Sequence, residues 1–446
     1  MQPYSSSRAT ALTGTVVVPG DKSISHRSLM FGALAKGQTR IWGLLEGEDV
    51  IRTADALREM GVKIETPEQT GQDYWQVDGT GHLQQPDKDL YMGNSGTSTR
   101  LLMGVVGGHK ITAKFTGDAS LSVRPMARVI NPLSVMGIEI DATLSQDKQV
   151  LPLTLKGSAQ PQPITYESPV ASAQVKSAIL LAGLTAHGVT TVIEPKATRD
   201  HTERMLTGFG AEVISEALDN GRMKVSITGG AQLKGQDITV PGDPSSAGFL
   251  LVAALLIPGS KITIKNVCMN KTRIGLLQTL IEMGGRINIV NRQNISGEEI
   301  ADLEVQYSVL TGINVPAERA PSMIDEYPIL AVAASFAQGV THMDGIGELR
   351  VKESDRLAIM ASGLLACGIK LEEGADELTI HGQDTVAGGV LIKTFLDHRI
   401  AMSFLILGSR TEQAVKIDDI EPVKTSFPDF ITLMTQLGCH FCPVNA

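Results

Sequence analysis

Apolar residues along this chain fall into short stripes at helical spacing, each followed by a strand-like run. Val50, Ala54, Leu57 and Gly61 share one helix face, as do Met126, Val129, Ile130, Leu133 and Met136. Phe427, Phe430, Ile431, Met434 and Leu437 form another such stripe. The stripes end on an apolar–glycine pair: Met60-Gly61, Met136-Gly137, Phe209-Gly210, Met283-Gly284, Cys367-Gly368 and Leu437-Gly438. These glycines lie 76, 73, 74, 84 and 70 residues apart. That period is about twice the length of most solenoid repeats, which points to six divergent copies of a small α/β module.

The first copy is the clearest. It predicts a strand over Thr15 to Val18, closed by Pro19-Gly20, and a helix over Ser25 to Ala35. A strand over Thr39 to Trp42, a helix over Val50 to Met60 and strands at Val62 to Ile64 and Trp75 to Val77 follow. The second copy has helices opening at Ser98 and running past Met126, and the third has helices near Val175 to Leu184 and Thr202 to Phe209. The fourth begins at Ile238, the fifth at Ile313 and the last near Leu391. Val18-Pro19-Gly20-Asp21 and Val240-Pro241-Gly242-Asp243 start alike. Proline holds the chain extended and glycine permits the sharp turn that follows, so both are expected crossing points between domains. The expectation is two domains of three repeats each: 20–240, and 1–19 joined to 241–446, with the active site in the cleft between them.

Composition narrows the function. The 446 residues are too many for one core, and their 42% apolar and 20% charged content is that of a globular protein. A net charge of -9 argues against a nucleic-acid surface. Ten Phe, six Tyr and two Trp argue against a stacking platform. The N-terminus is polar, reaches its expected first strand by Val16, and shows neither a signal core nor a membrane span. A cytoplasmic, monomeric enzyme of small molecules is the resulting expectation. The four cysteines make no staple pattern, and Cys439-His440-Phe441-Cys442 is a lone CxxC without a second pair. The nine histidines are scattered, so neither a metal nor a cofactor is expected.

Against this acidic background, cations and small hydrogen-bonding residues gather at helix starts. Gly20-Asp21-Lys22-Ser23-Ile24-Ser25-His26-Arg27, Gly93-Asn94-Ser95-Gly96-Thr97-Ser98-Thr99-Arg100 and Ser172-Ala173-Gln174-Val175-Lys176 occupy matching places in three repeats. Free N–H groups and the helix dipole favour an anion there, although none has the spacing of a P-loop. The second half carries Asp325-Glu326, the run Arg350-Val351-Lys352-Glu353-Ser354-Asp355-Arg356, Asp397-His398-Arg399 and Lys424-Thr425-Ser426-Phe427. Read as helical, the run places Lys352 and Arg356 one turn apart, with Glu353 offset by about 100°. Each cluster taken alone reads equally well as surface ion pairs and caps. Together they suit an enzyme of two anionic substrates, in which cations hold the substrates and carboxylates with a lysine move protons.

These motifs, ordered over residues 12 to 440 and joined by Arg124-Pro125-Met126, closely resemble the 5-enolpyruvylshikimate-3-phosphate synthases, an enolpyruvyl transferase family. The resemblance implies two inside-out α/β barrels of three βαβαββ units, which close on substrate. It implies transfer of the enolpyruvyl group of phosphoenolpyruvate to the 5-hydroxyl of shikimate 3-phosphate, in chorismate and aromatic amino acid synthesis. It implies that Lys22, Ser23, Arg27, Ser172, Ala173, Gln174, Arg199, Asp325 and Lys352 bind shikimate 3-phosphate. Lys22, Asn94, Gly96, Arg124, Gln174, Arg356, Arg399 and Lys424 would bind phosphoenolpyruvate. Asp325 would take the hydroxyl proton, while Glu353 and Lys22 handle the proton at the methylene carbon. Two departures stand out: Leu101 where many members have proline, and Ala173 where many have serine. Both resemble a branch tolerant of the inhibitor glyphosate, whereas Gly96 resembles the sensitive members. The sister family that uses UDP-N-acetylglucosamine has asparagine after the first lysine and a loop cysteine; here Ser23 follows Lys22 and no cysteine precedes Cys268. A non-catalytic repeat protein would not need Lys22, Asp325 and Glu353 together.

Overall fold

The fold is described from a computed structural model, in which residues 1–444 are described. The chain divides into two compact units. One comprises Met1–Pro19, Pro241–Asn294 and Glu298–Ala446; the other comprises Gly20–Val240 and Ile295–Gly297. Each contains three four-stranded sheets of one shared plan: a parallel pair followed by two antiparallel strands. Mixed α/β repeats with helices inside and sheets outside result.

Helices of two kinds explain that arrangement. Lys22–Leu34, Gly96–Gly107 and Ala173–Gly183 carry polar residues in their first turns and apolar ones beyond, are buried along most of their length, and pack on one another. In the other unit Pro244–Leu256, Tyr327–Ser335 and His398–Gly408 are likewise buried and pack on one another, with every residue of the last two buried. The second helix of each repeat, such as Glu48–Glu59 or Phe430–Leu437, buries only one stripe. All six landmark glycines follow these second helices at positive φ, from 83° at Gly61 to 120° at Gly438. A side chain there would be strained, which is why glycine marks the end of each copy. Gly104 has a different task. A Cβ on it would lie 2.3 Å from the Ala178 carbonyl oxygen, so its absence lets the second and third inner helices touch along their backbones.

The opening strands depart from the sequence reading. Thr13–Val17 pairs in parallel with Lys261–Cys268, in the fourth repeat, while Asp237–Thr239 pairs with Lys36–Trp42, in the first. The chain passes from one unit to the other just after each strand, so each strand stays behind in the sheet of the unit it leaves. A further strand, Tyr4–Ser7, was not foreseen. It lies between Val415–Ile417 and His440–Pro443 and completes the sixth sheet. Its sequence carries no apolar alternation, and the one residue it buries fully is Ser6, whose hydroxyl meets Ser409 at 3.2 Å.

Candidate active site

In the Gly20–Val240 unit the three inner helices are capped by their preceding residues. Asp21 Oδ1 accepts from the Ile24 N–H at 2.9 Å, Ser95 Oγ from Ser98 at 3.1 Å and Ser172 Oγ from Val175 at 3.4 Å. The helix starts are then tied together by side chains. Arg27 joins the first to the third repeat, donating from Nε to Thr202 Oγ1 at 2.7 Å and from Nη2 to Ser177 Oγ at 2.8 Å. Gln174 joins the third to the second: its Oε1 accepts from Arg100 Nη1 at 2.9 Å and its Nε2 donates to Thr97 Oγ1 at 3.0 Å. Thr53 Oγ1 joins the first two, lying 2.7 Å from both His26 Nδ1 and Ser98 Oγ. Lys22, Arg27, Gly96 and Gln174 are thus gathered at one end of the unit, where N–H groups and helix dipoles favour anions.

Two further groups belong to this end. Arg124 is buried and donates from Nη2 to Asn94 Oδ1 at 2.5 Å and to Ser120 Oγ at 3.2 Å, which places both phosphoenolpyruvate candidates side by side. Lys22 Nζ is 3.0 Å from Asp49 Oδ2, a partner that the sequence reading missed. Asp49 lies in the first turn of the Glu48–Glu59 helix and so looks like an ordinary dipole partner in sequence. His26 is buried beneath them, and burial followed by the nearby Lys22 and Arg27 charges holds its imidazole well below the usual histidine pKa. Ser23, Ser172, Ala173 and Arg199 are all half-buried.

The candidate acid–base residues gather separately in the other unit. Asp325 Oδ1 lies 3.3 Å from Lys352 Nζ and 3.2 Å from Arg356 Nη1. Arg356 is wholly buried, donates from Nε to Asp397 Oδ2 at 2.8 Å, and pairs through Nη2 with Glu353. Burial opposes its charge, but Asp397, Glu353 and Asp325 together raise its pKa well above the ordinary value. Arg399 donates from Nη1 to the Asp325 carbonyl at 3.1 Å and approaches Glu326 Oε1 at 3.4 Å. Behind it, Ser245 Oγ donates to Glu326, and Arg273 Nη2 donates to Ser245 Oγ at 2.9 Å and to Asp243 Oδ1 at 3.1 Å.

One expectation needs correction here. Residues 352–355 lie outside any helix: a 3-10 turn covers Gly347–Val351, and the helix begins only at Arg356 with Asp355 as its cap. Lys352 and Glu353 are therefore held by their ion pairs, not by helical offset. Lys424 lies outside this cluster: it is 61% exposed, and its ammonium is 2.8 Å from Glu421. Asp397, Glu326, Ser245 and Arg273 were not foreseen as parts of the site. Asp397 carried the one usable signal, since a buried N-cap (Oδ1 accepts from the Arg399 N–H at 2.9 Å) can spare its second oxygen for Arg356. The CxxC is split between core and solvent: Cys439 is buried, with its thiol pushed up to about 11, and Cys442 is exposed. Among the described residues, no helix is long and apolar enough to cross a membrane.

With this geometry in view, the comparisons fall on one family. Residues 7–434 match the family model of EPSP synthase (3-phosphoshikimate 1-carboxyvinyltransferase). The chain belongs to the EPSP synthase family. It is 56% identical over 443 residues to the 3-phosphoshikimate 1-carboxyvinyltransferase of Chelativorans sp., covering 98% of this chain and 97% of the other. The enzyme of that name from Pseudomonas sp. strain PG2982 is 55% identical over 441 residues, with 98% and 97% covered. Among solved structures, the EPSP synthase of Acinetobacter baumannii aligns over all of both chains, with a TM-score of 0.87 and 44% identity. The enolpyruvyl transferase NikO of Streptomyces tendae shares the fold (TM-score 0.80) at 17% identity, over 100% of this chain and 99% of that one.

Proposed function

We infer that the chain transfers the enolpyruvyl group of phosphoenolpyruvate to the 5-hydroxyl of shikimate 3-phosphate, releasing phosphate, in aromatic amino acid biosynthesis. Family membership carries the reaction. The arrangement around Asp325 is the observation that best supports the roles: a carboxylate braced by Lys352 and Arg356 beside a second acid, Glu353.

In this reading Ser23, Arg27, Ser172, the Ala173 N–H and Arg199 hold shikimate 3-phosphate, with Gln174 against its ring. Lys22 contacts both substrates. Asn94, Gly96, Arg124 and Lys424 take the phosphate of phosphoenolpyruvate, and Arg356 and Arg399 take its carboxylate. Asp325 accepts the proton of the 5-hydroxyl as the oxygen attacks C2, while Lys22 or Glu353 delivers a proton to C3. The tetrahedral adduct then loses phosphate as a C3 proton returns to the same groups. Arg356 adds a condition. Its three nitrogens already face Asp397, Asp325 and Glu353, so an incoming carboxylate takes a remaining N–H of Nη1 or Nη2 or displaces one of these acids. Glu353 is the reasonable one to leave, because it sits at the Nη2 end and is 22% exposed, whereas Asp397 is fully buried. Substrate binding would then release the acid that the proton transfer needs.

The test is a phosphate-release assay with shikimate 3-phosphate and with UDP-N-acetylglucosamine as separate acceptors. Turnover with the first alone is expected. Turnover with the second, or with neither, would overturn the reading.

A further inference from the structure

Lys176 has no part in the roles assigned above, yet it is among the most completely buried charges in the molecule. Its ammonium is 2% exposed and lies 2.8 Å from Glu194 Oε2 and 2.7 Å from Glu203 Oε1, carboxylates that are themselves 1% and 7% exposed. Three charges with a net negative sum, held away from water, are costly to fold. Burial works against the Lys176 charge, but Glu203 and Glu194 hold its pKa above the ordinary lysine value, so the cation persists. The contacts of the triad suggest what it does.

Each member sits on a different segment, and each segment either carries a group read here as binding shikimate 3-phosphate or holds one that does. Lys176 is one turn into the Ala173–Gly183 helix, after Ser172, and precedes Ser177, which accepts from Arg27 Nη2. Glu203 lies in the His201–Gly208 helix beside Thr202, which accepts from Arg27 Nε. Glu194 ends the Val189–Glu194 strand, and its Oε1 accepts from Thr198 Oγ1 at 2.5 Å, anchoring the loop just before Arg199. One ammonium therefore fixes the spacing of Ser172, Arg27's two hydroxyl acceptors and Arg199. We propose that Lys176, Glu194 and Glu203 are positioning residues for the phosphate pocket of shikimate 3-phosphate. An apolar trio could fill this volume, but it would lack directional contacts to hold three segments in one register.

The proposal rests on the reading of Ser172 and Arg199 as phosphate-binding and of Arg27 as a contact of shikimate 3-phosphate, and the test separates the two. Calorimetric titration of the whole enzyme compares shikimate 3-phosphate with shikimate, which lacks the phosphate, for Lys176→Met, Glu203→Gln and the control Arg199→Ala. Lys176→Met is expected to weaken shikimate 3-phosphate about tenfold or more, since small misplacements of binding groups carry such costs. Shikimate affinity, and kcat at saturating shikimate 3-phosphate, should change much less. A smaller loss of the same selectivity is expected for Glu203→Gln, which keeps the shape; it carries the test alone should circular dichroism show Lys176→Met unfolded. Folded variants that bind shikimate 3-phosphate like the parent, or lose both ligands equally, overturn the positioning role. If Arg199→Ala also binds normally, it is the pocket reading that fails.

Discussion

Gly96→Ala asks how closely the phosphoenolpyruvate candidates are packed. Gly96 opens an inner helix, and a Cβ there would lie 2.8 Å from Arg100 Nη1 and 3.4 Å from Arg124 Nη1. The first distance is too short for contact, so the Arg100 head must move. It is not free to do so at no cost, because Nη1 donates to Gln174 Oε1 at 2.9 Å and Nη2 to the Pro125 carbonyl at 3.3 Å. Losing the charge-assisted bond to Gln174 costs about 1.5–3 kcal/mol, or about ten- to a hundredfold in affinity if the loss is fully felt. Partial recovery by a long side chain sets the expected rise in KM for phosphoenolpyruvate near the lower figure, about tenfold. If glyphosate takes the same anionic site with a different shape it would meet the methyl directly, and its Ki is then expected to rise about tenfold further. Steady-state inhibition on both proteins measures both constants, and Arg100→Ala completes a cycle: if displacement of Arg100 is the route, the KM effects of the two changes will not add. Equal factors in Ki and KM, or fully additive effects, would refute the argument.

Asp325→Ala and Glu353→Ala are each expected to lower kcat by about 10²–10⁴-fold, a loss larger than any loss of substrate affinity, as measured by steady-state rates and calorimetry. Arg356→Lys should lower stability by about 3 kcal/mol or more in urea unfolding, because one ammonium cannot serve Asp325, Glu353 and Asp397 at once. His26 sets an acid limit. Its folded-state pKa lies well below the ordinary value of 6.5, so the unfolded chain takes up the proton first. The stability it contributes is present above about pH 6.5 and is lost as pH falls below that toward the folded pKa. His26→Gln should flatten the dependence of the thermal midpoint on pH in that window, and an unchanged slope would exclude His26 as its source.

What the sequence revealed about this molecule was what is decided locally. The six helix-ending glycines were legible because a positive φ is needed at one position, whatever packs around it. The capped helix starts were legible because caps such as Asp21, Ser95 and Ser172 stand next to the helices they cap. Tyr4–Ser7 was hidden because its partners lie over 400 residues away, and the exchanged opening strands were hidden because a parallel strand fits either of two similar sheets. The charged clusters make the limit clearest. Glu353 with Arg356 and Glu421 with Lys424 are both acid–base pairs at i,i+3, and both form ion pairs. Arg356 is 1% exposed and Lys424 61%, so one pair lies in a medium where charge is expensive and the other in solvent where it matters little. Spacing specifies the pairing but carries no information about the dielectric. Arg356 can be buried because Asp325 and Asp397 arrive from the starts of two other helices to complete what Glu353 begins. That convergence is a property of the repeated fold, so the residue most committed to the site looked, in sequence, like the one most able to be a surface pair.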